Sequence, residues 1–141
     1  MRLRIVFVVC LWLGGLWASG TSVDLALVQK EFLGKWRIVA VEIDGFLLEG
    51  VARRAYVGFE KGRFGGFVGC NRFFGEYEVM EQNQLTLLPK GASKKSCAGE
   101  KLSIEAKFLR YFYGAFEVAR VGKYLVLENA KMVLWLREFR E

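Results

Sequence analysis

The chain has 141 residues, of which 53% are hydrophobic and 15% aromatic, and only one is a proline. This much apolar side chain excludes a disordered protein, and the length accommodates one compact domain rather than two. The formal net charge of +6 is spread over the chain, with its densest clusters at Arg53-Arg54 and 90–95. Neither cluster lies in a nucleic-acid-binding motif, so we expect solvated surface there and no nucleic-acid partner.

Residues 1–20 have the pattern of a cleavable signal peptide. Arg2 and Arg4 supply the positive end, residues 5–17 form an apolar stretch, and the small residues at 18–20 suit cleavage. The apolar stretch is shorter than the roughly 20 residues that cross a bilayer as a helix. We therefore expect export to the periplasm or another extracytoplasmic compartment and a mature domain over residues 21–141. An uncleaved membrane anchor is the alternative.

The first half of the mature domain has short apolar runs separated by turn residues, a pattern that predicts antiparallel strands. The expected strands are 35–43, 46–48, 55–60, 63–69, 76–79 and 85–88. Asp44-Gly45 and Lys61-Gly62 are the expected tight turns between neighbouring strands. Pro89 is expected to end the last of these strands, because proline cannot donate a backbone hydrogen bond.

Cys70 and Cys97 are the two cysteines of the predicted mature domain. Thiols that pair in an oxidising compartment stay bonded, so we expect a structural Cys70–Cys97 disulfide. A redox-active pair is the alternative, which Lys94, Lys95 and a helix start beside Cys97 favour and the missing Cys-x-x-Cys spacing opposes. The glycines of residues 65–69 predict backbone with positive φ or a close approach of other groups.

Residues from Gly99 to Tyr113 have the period of an amphipathic helix whose apolar arc packs on a core. The members of this arc are Leu102, Ala106, Phe108, Leu109, Phe112 and Tyr113. Glu105 falls inside the same arc, where a buried carboxylate needs donors or a basic partner. We expect Glu105 to accept backbone N–H groups or to pair with a base, as a structural anchor rather than a catalytic acid.

Three more strands are expected after the helix, at 116–120, 124–128 and 131–138. Met132, Leu134 and Leu136 share one face of the last strand. Many short antiparallel strands, interrupted once by a helix, predict a mainly β fold in which a curved meander or a closed barrel removes its own edges.

Several motifs in the mature domain form a set. They are Leu33-Gly34-Lys35-Trp36, Phe59, Gly69-Cys70-Asn71, Phe73, Gly75, Tyr77, the segment 93–97, Glu105, Phe108, Phe112 and the segment 124–127. This set resembles the META domain of HslJ-like heat-inducible proteins over nearly the whole mature chain, with Ser93 and Lys95 where the family usually has Thr and Met. The resemblance implies a small conical β-barrel with one helix across its wide end, usually exported or lipid-anchored, and a role in envelope or stress responses. It implies no catalytic residues.

The resemblance also implies a structural constellation. Its members are Trp36, Gly69, Cys70, Asn71, Gly75, Tyr77 and Cys97. We expect Trp36 to anchor the core with one hydrogen bond from its indole, and Asn71 to bond local backbone at a turn. Gly69 and Gly75 are expected at chain reversals.

Phe73 and Phe74 are adjacent, and neighbours on a strand point to opposite sides, so we expect one of the two rings to be exposed as a partner contact. The chain has no histidine, which excludes Ser-His and Cys-His nucleophiles and imidazole metal sites. No phosphate-binding glycine loop is present either. We therefore expect no enzyme activity, no cofactor and no metal.

The predicted function is that of a non-enzymatic, monomeric cell-envelope protein. It would act in the envelope or heat-stress response by binding a protein or a small apolar ligand. Two alternatives stay open, a thiol-disulfide redox protein that uses Cys70 and Cys97 and an envelope protein anchored in the membrane by its leader.

Overall fold

The computed structural model describes residues 32–80 and 83–139. The predicted signal peptide, its cleavage site and the first residues of the mature domain lie outside this part of the chain. Within the described residues, none of the helices is both long enough and apolar enough to cross a membrane.

Nine strands and one full helix follow one another along the described residues. They are β1 (Gly34–Ile43), β2 (Phe46–Leu47), β3 (Tyr56–Glu60), β4 (Arg63–Phe67), β5 (Arg72–Val79), β6 (Gln84–Ala92), α1 (Gly99–Tyr111), β7 (Gly114–Val121), β8 (Tyr124–Glu128) and β9 (Met132–Glu138). Pairing is antiparallel throughout, in the order β1-β3-β4-β5-β6-β7-β8-β9, and β9 pairs back with β1. Eight strands therefore close a barrel, and the predicted mainly β barrel with one helix is confirmed.

The short strand β2 is the hairpin partner of β1. Asp44 and Gly45 connect the two strands with positive φ angles of 51° and 81°. Two residues with positive φ are the backbone of a type I′ turn, whose twist matches that of the flanking strands. The hairpin turn expected from the sequence is therefore present, and it leaves Phe46 and Leu47 exposed.

Apolar side chains fill the interior of the barrel. Met132, Leu134 and Leu136 alternate inward along β9 and are 0% exposed. Aromatic rings occupy much of the remaining space, each at most 3% exposed, and they are Phe32, Phe59, Phe64, Phe73, Phe108, Phe112 and Phe116. A barrel of eight strands is just wide enough for side chains to fill. The interior is therefore a packed core and not an open cup.

The buried face of helix α1 overlaps the predicted apolar arc but is displaced from it. Phe108 and Phe112 of the arc are buried, Leu109 packs partly buried against the core, and Glu105 is buried among them. Leu102, Ala106 and Tyr113 of the arc are exposed, whereas Ile104, which the arc omits, is buried. The hydrogen bonds of Glu105 to Asn71 and the ring contact of Phe108 with Phe73, at a centroid distance of 5.6 Å, set this orientation. The wheel prediction weighed hydrophobicity alone and could not include these fastenings.

Pro89 does not end β6, which continues to Ala92. Only residues 84–87 of this strand pair with β7, so the missing N–H of Pro89 removes no bond on that side. On the other side, Pro89 lies opposite Gly75, next to a shift in register of the β5–β6 ladder. Bulges and partly unpaired strand segments are where proline is tolerated in sheets.

Candidate functional site

Cys70 and Cys97 form a disulfide with a Cα–Cα distance of 6.0 Å, which confirms the predicted bridge. Cys70 is buried in the bend between β4 and β5, and Cys97 is half-buried just before α1. The bridge therefore fastens the start of the helix to the rim of the barrel.

Asn71 and Glu105 form a buried polar pair beside the disulfide, with exposed fractions of 5% and 6%. Glu105 Oε1 accepts the Asn71 backbone N–H at 2.6 Å, and Oε2 accepts the Asn71 Nδ2–H at 3.0 Å. On its other side, Asn71 Oδ1 accepts the Lys95 backbone N–H at 2.6 Å and the Ser93 hydroxyl at 3.0 Å. Both oxygens of the carboxylate are thus occupied by donors from the barrel rim.

This arrangement corrects the role expected for Asn71. Its side chain does not bond local backbone. Apart from a contact of Nδ2 with the neighbouring Cys70 Sγ at 3.5 Å, the partners of the side chain lie 22 to 34 residues away in the sequence. The amide of an asparagine carries both hydrogen-bond donors and an acceptor, so it can join one segment that offers an acceptor to another that offers donors. We call the six residues involved the helix clamp. They are Cys70, Asn71, Ser93, Lys95, Cys97 and Glu105.

Trp36 and Tyr77 lie in the aromatic core. Trp36 is 4% exposed, and its indole Nε1–H donates to the carbonyl of Phe32 at 2.7 Å, a single hydrogen bond of the expected kind. The ring of Tyr77 meets those of Phe32 and Phe59 edge to face, at centroid distances of 5.4 and 5.7 Å. Its buried hydroxyl has no hydrogen-bond partner among the described residues.

Burial raises the pKa of the Tyr77 hydroxyl above its usual value, because the charged phenolate loses its hydration. The nearby backbone of Gly62 lowers this pKa in part, since it favours the charged phenolate. Its distance and angle to the hydroxyl oxygen do not make a hydrogen bond.

Gly69 and Gly75 have different environments. Gly69 lies in the bend between β4 and β5, where an added Cβ would sit 3.5 Å from the Lys101 carbonyl oxygen, an ordinary contact. Gly75 lies within β5, so the prediction that it serves a chain reversal is wrong. A Cβ at Gly75 would come within 2.5 Å of the Leu88 carbonyl oxygen and 2.6 Å of the Phe64 ring. Close approach of other groups, and not positive φ, explains this glycine.

Phe73 and Phe74 separate as the alternation of a strand requires. Phe73 is 3% exposed and belongs to the core, whereas Phe74 is 52% exposed on the outer face of the barrel. The Phe74 ring lies against Gly91 of the neighbouring strand, where an added Cβ would come within 3.0 Å of the ring. Gly91 therefore provides the space in which this exposed ring rests.

A groove of about 640 Å³ runs over the outer face of strands β1, β3, β4 and β5. Its floor is one row of residues paired across the four strands, in the order Lys35, Gly58, Gly65 and Phe74. The two middle members have no side chain, so the floor is bare backbone between an ammonium group and an aromatic ring. We call this feature the glycine groove.

Charged and aromatic groups border the glycine groove. The Lys35 Nζ lies 4.3 Å from the centroid of the Tyr56 ring and 4.2 Å from that of Phe139. Arg63 and Arg72 also line the groove, together with Glu60. Within the described residues, no carboxylate lies within 4.0 Å of Lys35 or of either arginine.

An apolar cleft of about 280 Å³ adjoins the groove, between the β5–β6 ladder and α1. Leu109 and Pro89 line the cleft, and Phe64, Phe73 and Phe74 line both the cleft and the groove. Phe74 is the exposed member of the three, so its ring stands at the border of two concave surfaces.

Sequence reasoning did not find the glycine groove. The pairing of Gly58 with Gly65 follows from the predicted Lys61-Gly62 hairpin. What the sequence does not indicate is that β1 places Lys35 beside Gly58, and that β5 places Phe74 beside Gly65. The available signal was that glycine is unfavourable in strand interiors and marks a bulge or a close approach. Among the described residues, no cluster of three or more Cys, Asp and Glu side chains could hold a metal ion.

The architecture defines a class, that of small closed antiparallel barrels with one helix fastened across the strands. The chain matches the META domain over residues 29–139, so it belongs to the META domain family, as the sequence motifs indicate. No curated protein matches the chain.

Several solved structures share the fold. An NMR structure of a protein from Burkholderia xenovorans is 20% identical, with a TM-score of 0.62 over 83% of this chain and 90% of that chain. A crystal structure of a lipocalin-like protein from Bacteroides uniformis is 20% identical, with a TM-score of 0.52 over 77% of this chain and 99% of that chain. A crystal structure of a third protein, from Bacteroides eggerthii, is 18% identical, with a TM-score of 0.51 over 77% of this chain and 99% of that chain. At these identities the likeness concerns the fold.

Proposed function

We propose that this META domain protein is a non-enzymatic binding protein of the cell envelope that contacts its partner through Phe74 and the glycine groove. The observation that carries the proposal is the exposed ring of Phe74, which is 52% exposed at the border of two concave surfaces. Large aromatic side chains give up the most surface on binding and are enriched among residues that dominate binding energy. A small apolar ligand or an envelope protein is the proposed partner.

Two features support binding on the outside of the barrel. The interior is filled by side chains such as Phe112 and Leu127, which are at most 1% exposed. The buried carboxylate of Glu105 is occupied by two hydrogen bonds from Asn71. The fold is similar to that of a lipocalin-like protein. This similarity of fold, without similarity of a site, is the further support for a binding role.

The proposed location is outside the cytoplasm, after removal of residues 1–20. The disulfide is compatible with an oxidising compartment, because such bridges persist there and are reduced in the cytosol. The resemblance to heat-inducible HslJ-like proteins supports a role in the stress response of the envelope. In this proposal the protein acts as a monomer and binds no nucleic acid.

Site-specific photo-crosslinking in the native host tests the partner contact. A photoreactive phenylalanine analogue replaces Phe74 in one variant and Phe46 in a matched control, since Phe46 is 77% exposed on β2. The proposal expects a discrete crosslinked species from position 74, more abundant after heat stress, that is absent from position 46. No crosslink at position 74, or the same species from both positions, would contradict it.

Intact mass spectrometry of the protein from its host tests the location. We expect a chain that starts near Thr21 and is alkylated at two cysteines only after reduction. A retained leader that survives carbonate extraction would favour the membrane-anchored alternative.

The redox alternative rests on one observation, the position of Cys97 just before the N-terminus of α1. Helix N-termini lower thiol pKa values and so favour the reactive thiolate. Cys70 is only 7% exposed, which hinders attack at its sulfur. A reduction potential below about −300 mV would identify a structural bridge, and a potential near those of thiol oxidoreductases would favour the alternative.

A further inference from the structure

We propose that the glycine groove binds a small molecule that has a flat apolar body and one anionic group. This inference rests on the proposed function and specifies the class of ligand that the groove takes.

Glycine at position 58 is required neither by the backbone conformation nor by internal packing. Its φ lies outside the left-handed region that favours glycine, and a Cβ added there would meet nothing closer than 3.9 Å. Glycine in a strand interior weakens the strand, so an internal reason for Gly58 is missing. The effect of Gly58 is instead on the outer face of the barrel, where it keeps the floor of the glycine groove free of side chains.

The shape of the glycine groove suits a flat ligand. Gly58 pairs with Gly65 in the next strand, so two adjacent peptide segments form a level floor without side chains. Tyr56 and Phe74 flank this floor, and aromatic rings bind flat apolar groups by stacking or edge contacts. A volume of about 640 Å³ falls within the range of roughly 300–1,000 Å³ that small-molecule sites occupy.

The cations of the groove differ in their neighbours. Arg63 lies in register with Glu60 on one side and Glu76 on the other, so both of its neighbours in the sheet are acidic. Lys35 and Arg72 pair instead with Gly58 and Phe67, neither of which is charged. Neither Lys35 nor Arg72 has an acidic residue beside it on the neighbouring strand, so the groove is complementary to an anion. The planar guanidinium of an arginine binds a carboxylate or sulfonate in a fixed geometry.

The binding test uses two probes with the same aromatic body. The first is 8-anilino-1-naphthalenesulfonate, an aromatic anion, and the second is N-phenyl-1-naphthylamine, which lacks the sulfonate. Calorimetry gives affinity and stoichiometry, and the amide signals of Gly58 and Gly65 in ¹⁵N–¹H NMR spectra report the location. We expect one anionic probe per chain, shifts of both glycine signals, and binding of the neutral probe at least about tenfold weaker.

Variants assign this binding to the groove. Gly58→Leu is expected to abolish binding of the anionic probe. Gly99→Leu, outside the groove, should keep it, because a Cβ at Gly99 meets nothing within 4 Å and a Cβ at Gly58 meets nothing closer than 3.9 Å. Lys35→Gln and Arg72→Gln are each expected to lower the affinity for the anionic probe by about tenfold without changing the affinity for the neutral probe. Lys123→Gln is the control for Lys35→Gln, since Lys123 also lies over a tyrosine ring, that of Tyr124.

Each outcome has a definite meaning. Equal affinity for the two probes, or affinity of the anionic probe that the Lys35 and Arg72 variants do not change, overturns the anionic selectivity. Binding that persists in folded Gly58→Leu, or the absence of binding, overturns the site. If Gly58→Leu does not fold, the two charge variants and the glycine signals decide. A discrete crosslink from position 74 in any of these cases leaves the proposed function intact with a different partner.

Discussion

Glu105 of α1 holds Asn71 at two points, accepting the backbone N–H at 2.6 Å and the side-chain Nδ2–H at 3.0 Å across 34 residues of sequence. The neighbouring residue, Cys70, is bonded to Cys97 at the start of the same helix. The helix is therefore held to the barrel rim by a covalent bond near its N-terminus and by a charge-assisted contact one to two turns later.

The contact between Glu105 and Asn71 should contribute strongly to stability. Glu105→Ala leaves two buried donors without an acceptor, so we expect the free energy of unfolding at pH 7 to fall by about 2–4 kcal/mol. Glu105→Gln keeps the shape but places an amide N–H against a donor, and a loss of about 1–2 kcal/mol is expected. Urea unfolding followed by circular dichroism measures both. Glu100→Gln, on the exposed side of the same helix, is the control, and an equal loss there would contradict the assignment.

The disulfide should stabilise the domain by restricting the unfolded chain. Cys70 and Cys97 are separated by 27 residues, and on the chain-entropy model a loop of this length contributes at most about 3.6 kcal/mol. We expect Cys70→Ala/Cys97→Ala to unfold at lower urea concentration, and the addition of a reductant to destabilise the wild type but not this variant. A wild type that reductant leaves unchanged, once loss of the bridge is verified by alkylation, would refute this expectation.

Gly58 and Gly75 should respond oppositely to alanine. The Cβ of Gly58→Ala meets nothing closer than 3.9 Å, an ordinary contact distance. This variant is therefore expected to raise the free energy of unfolding by about 0.5–1 kcal/mol through the smaller entropy of the unfolded chain. Gly75→Ala drives a Cβ to within 2.5 Å of the Leu88 carbonyl oxygen, and a loss of about 1–3 kcal/mol is expected. Paired denaturation curves of the two variants test this. Two changes of the same sign would show that the two environments are misassigned.

The raised pKa of Tyr77 predicts that the free energy of unfolding falls at alkaline pH. Because the usual pKa is 10.0 and the folded value lies above it, the folded protein holds this proton more tightly than the unfolded chain. The associated stability is fully present below about pH 10, the pKa of the unfolded chain, and is lost as the pH rises from there through the higher pKa of the folded protein. Unfolding measured from about pH 8 to about pH 11, across the usual tyrosine pKa, should show the decline begin.

Tyr77→Phe is expected to flatten this decline and to leave the free energy of unfolding at pH 7 unchanged or higher. The physical reason is that a buried hydroxyl without a partner costs free energy that phenylalanine does not. Tyr113→Phe, at a side chain that is 59% exposed, is the control and should leave the alkaline decline in place. A loss of more than about 1 kcal/mol in Tyr77→Phe at pH 7 would indicate that the hydroxyl is hydrogen-bonded.

Much of the fold was predictable from local patterns. The hairpin at Asp44-Gly45, the alternation along β9 and the separation of Phe73 from Phe74 follow from backbone preferences and the period of a strand. The disulfide followed from two cysteines behind an export pattern, and the motif set predicted the family. Errors arose where a residue's partner is remote, as with the orientation of α1 and with Pro89, whose place in β6 depends on which strand pairs beside it.

Alternation, turn residues and paired cysteines were enough to predict a mainly β fold, as a curved meander or a closed barrel, with one helix and one bridge, because these features act over a few residues or through a unique pair. The family resemblance added the barrel, and the pairing of β1 with β9 shows its closure. The roles of Asn71 and Gly58 were decided only in three dimensions. Asn71 finds its acceptor and donor partners on segments 22 to 34 residues away. Gly58 meets Gly65 through a local hairpin, but it becomes part of a groove only because β1 places Lys35 beside it and β5 places Phe74 beside Gly65. The pairing of β1 with β3 is not a tight hairpin, so no local stretch of sequence contains its register, which is set as the barrel closes.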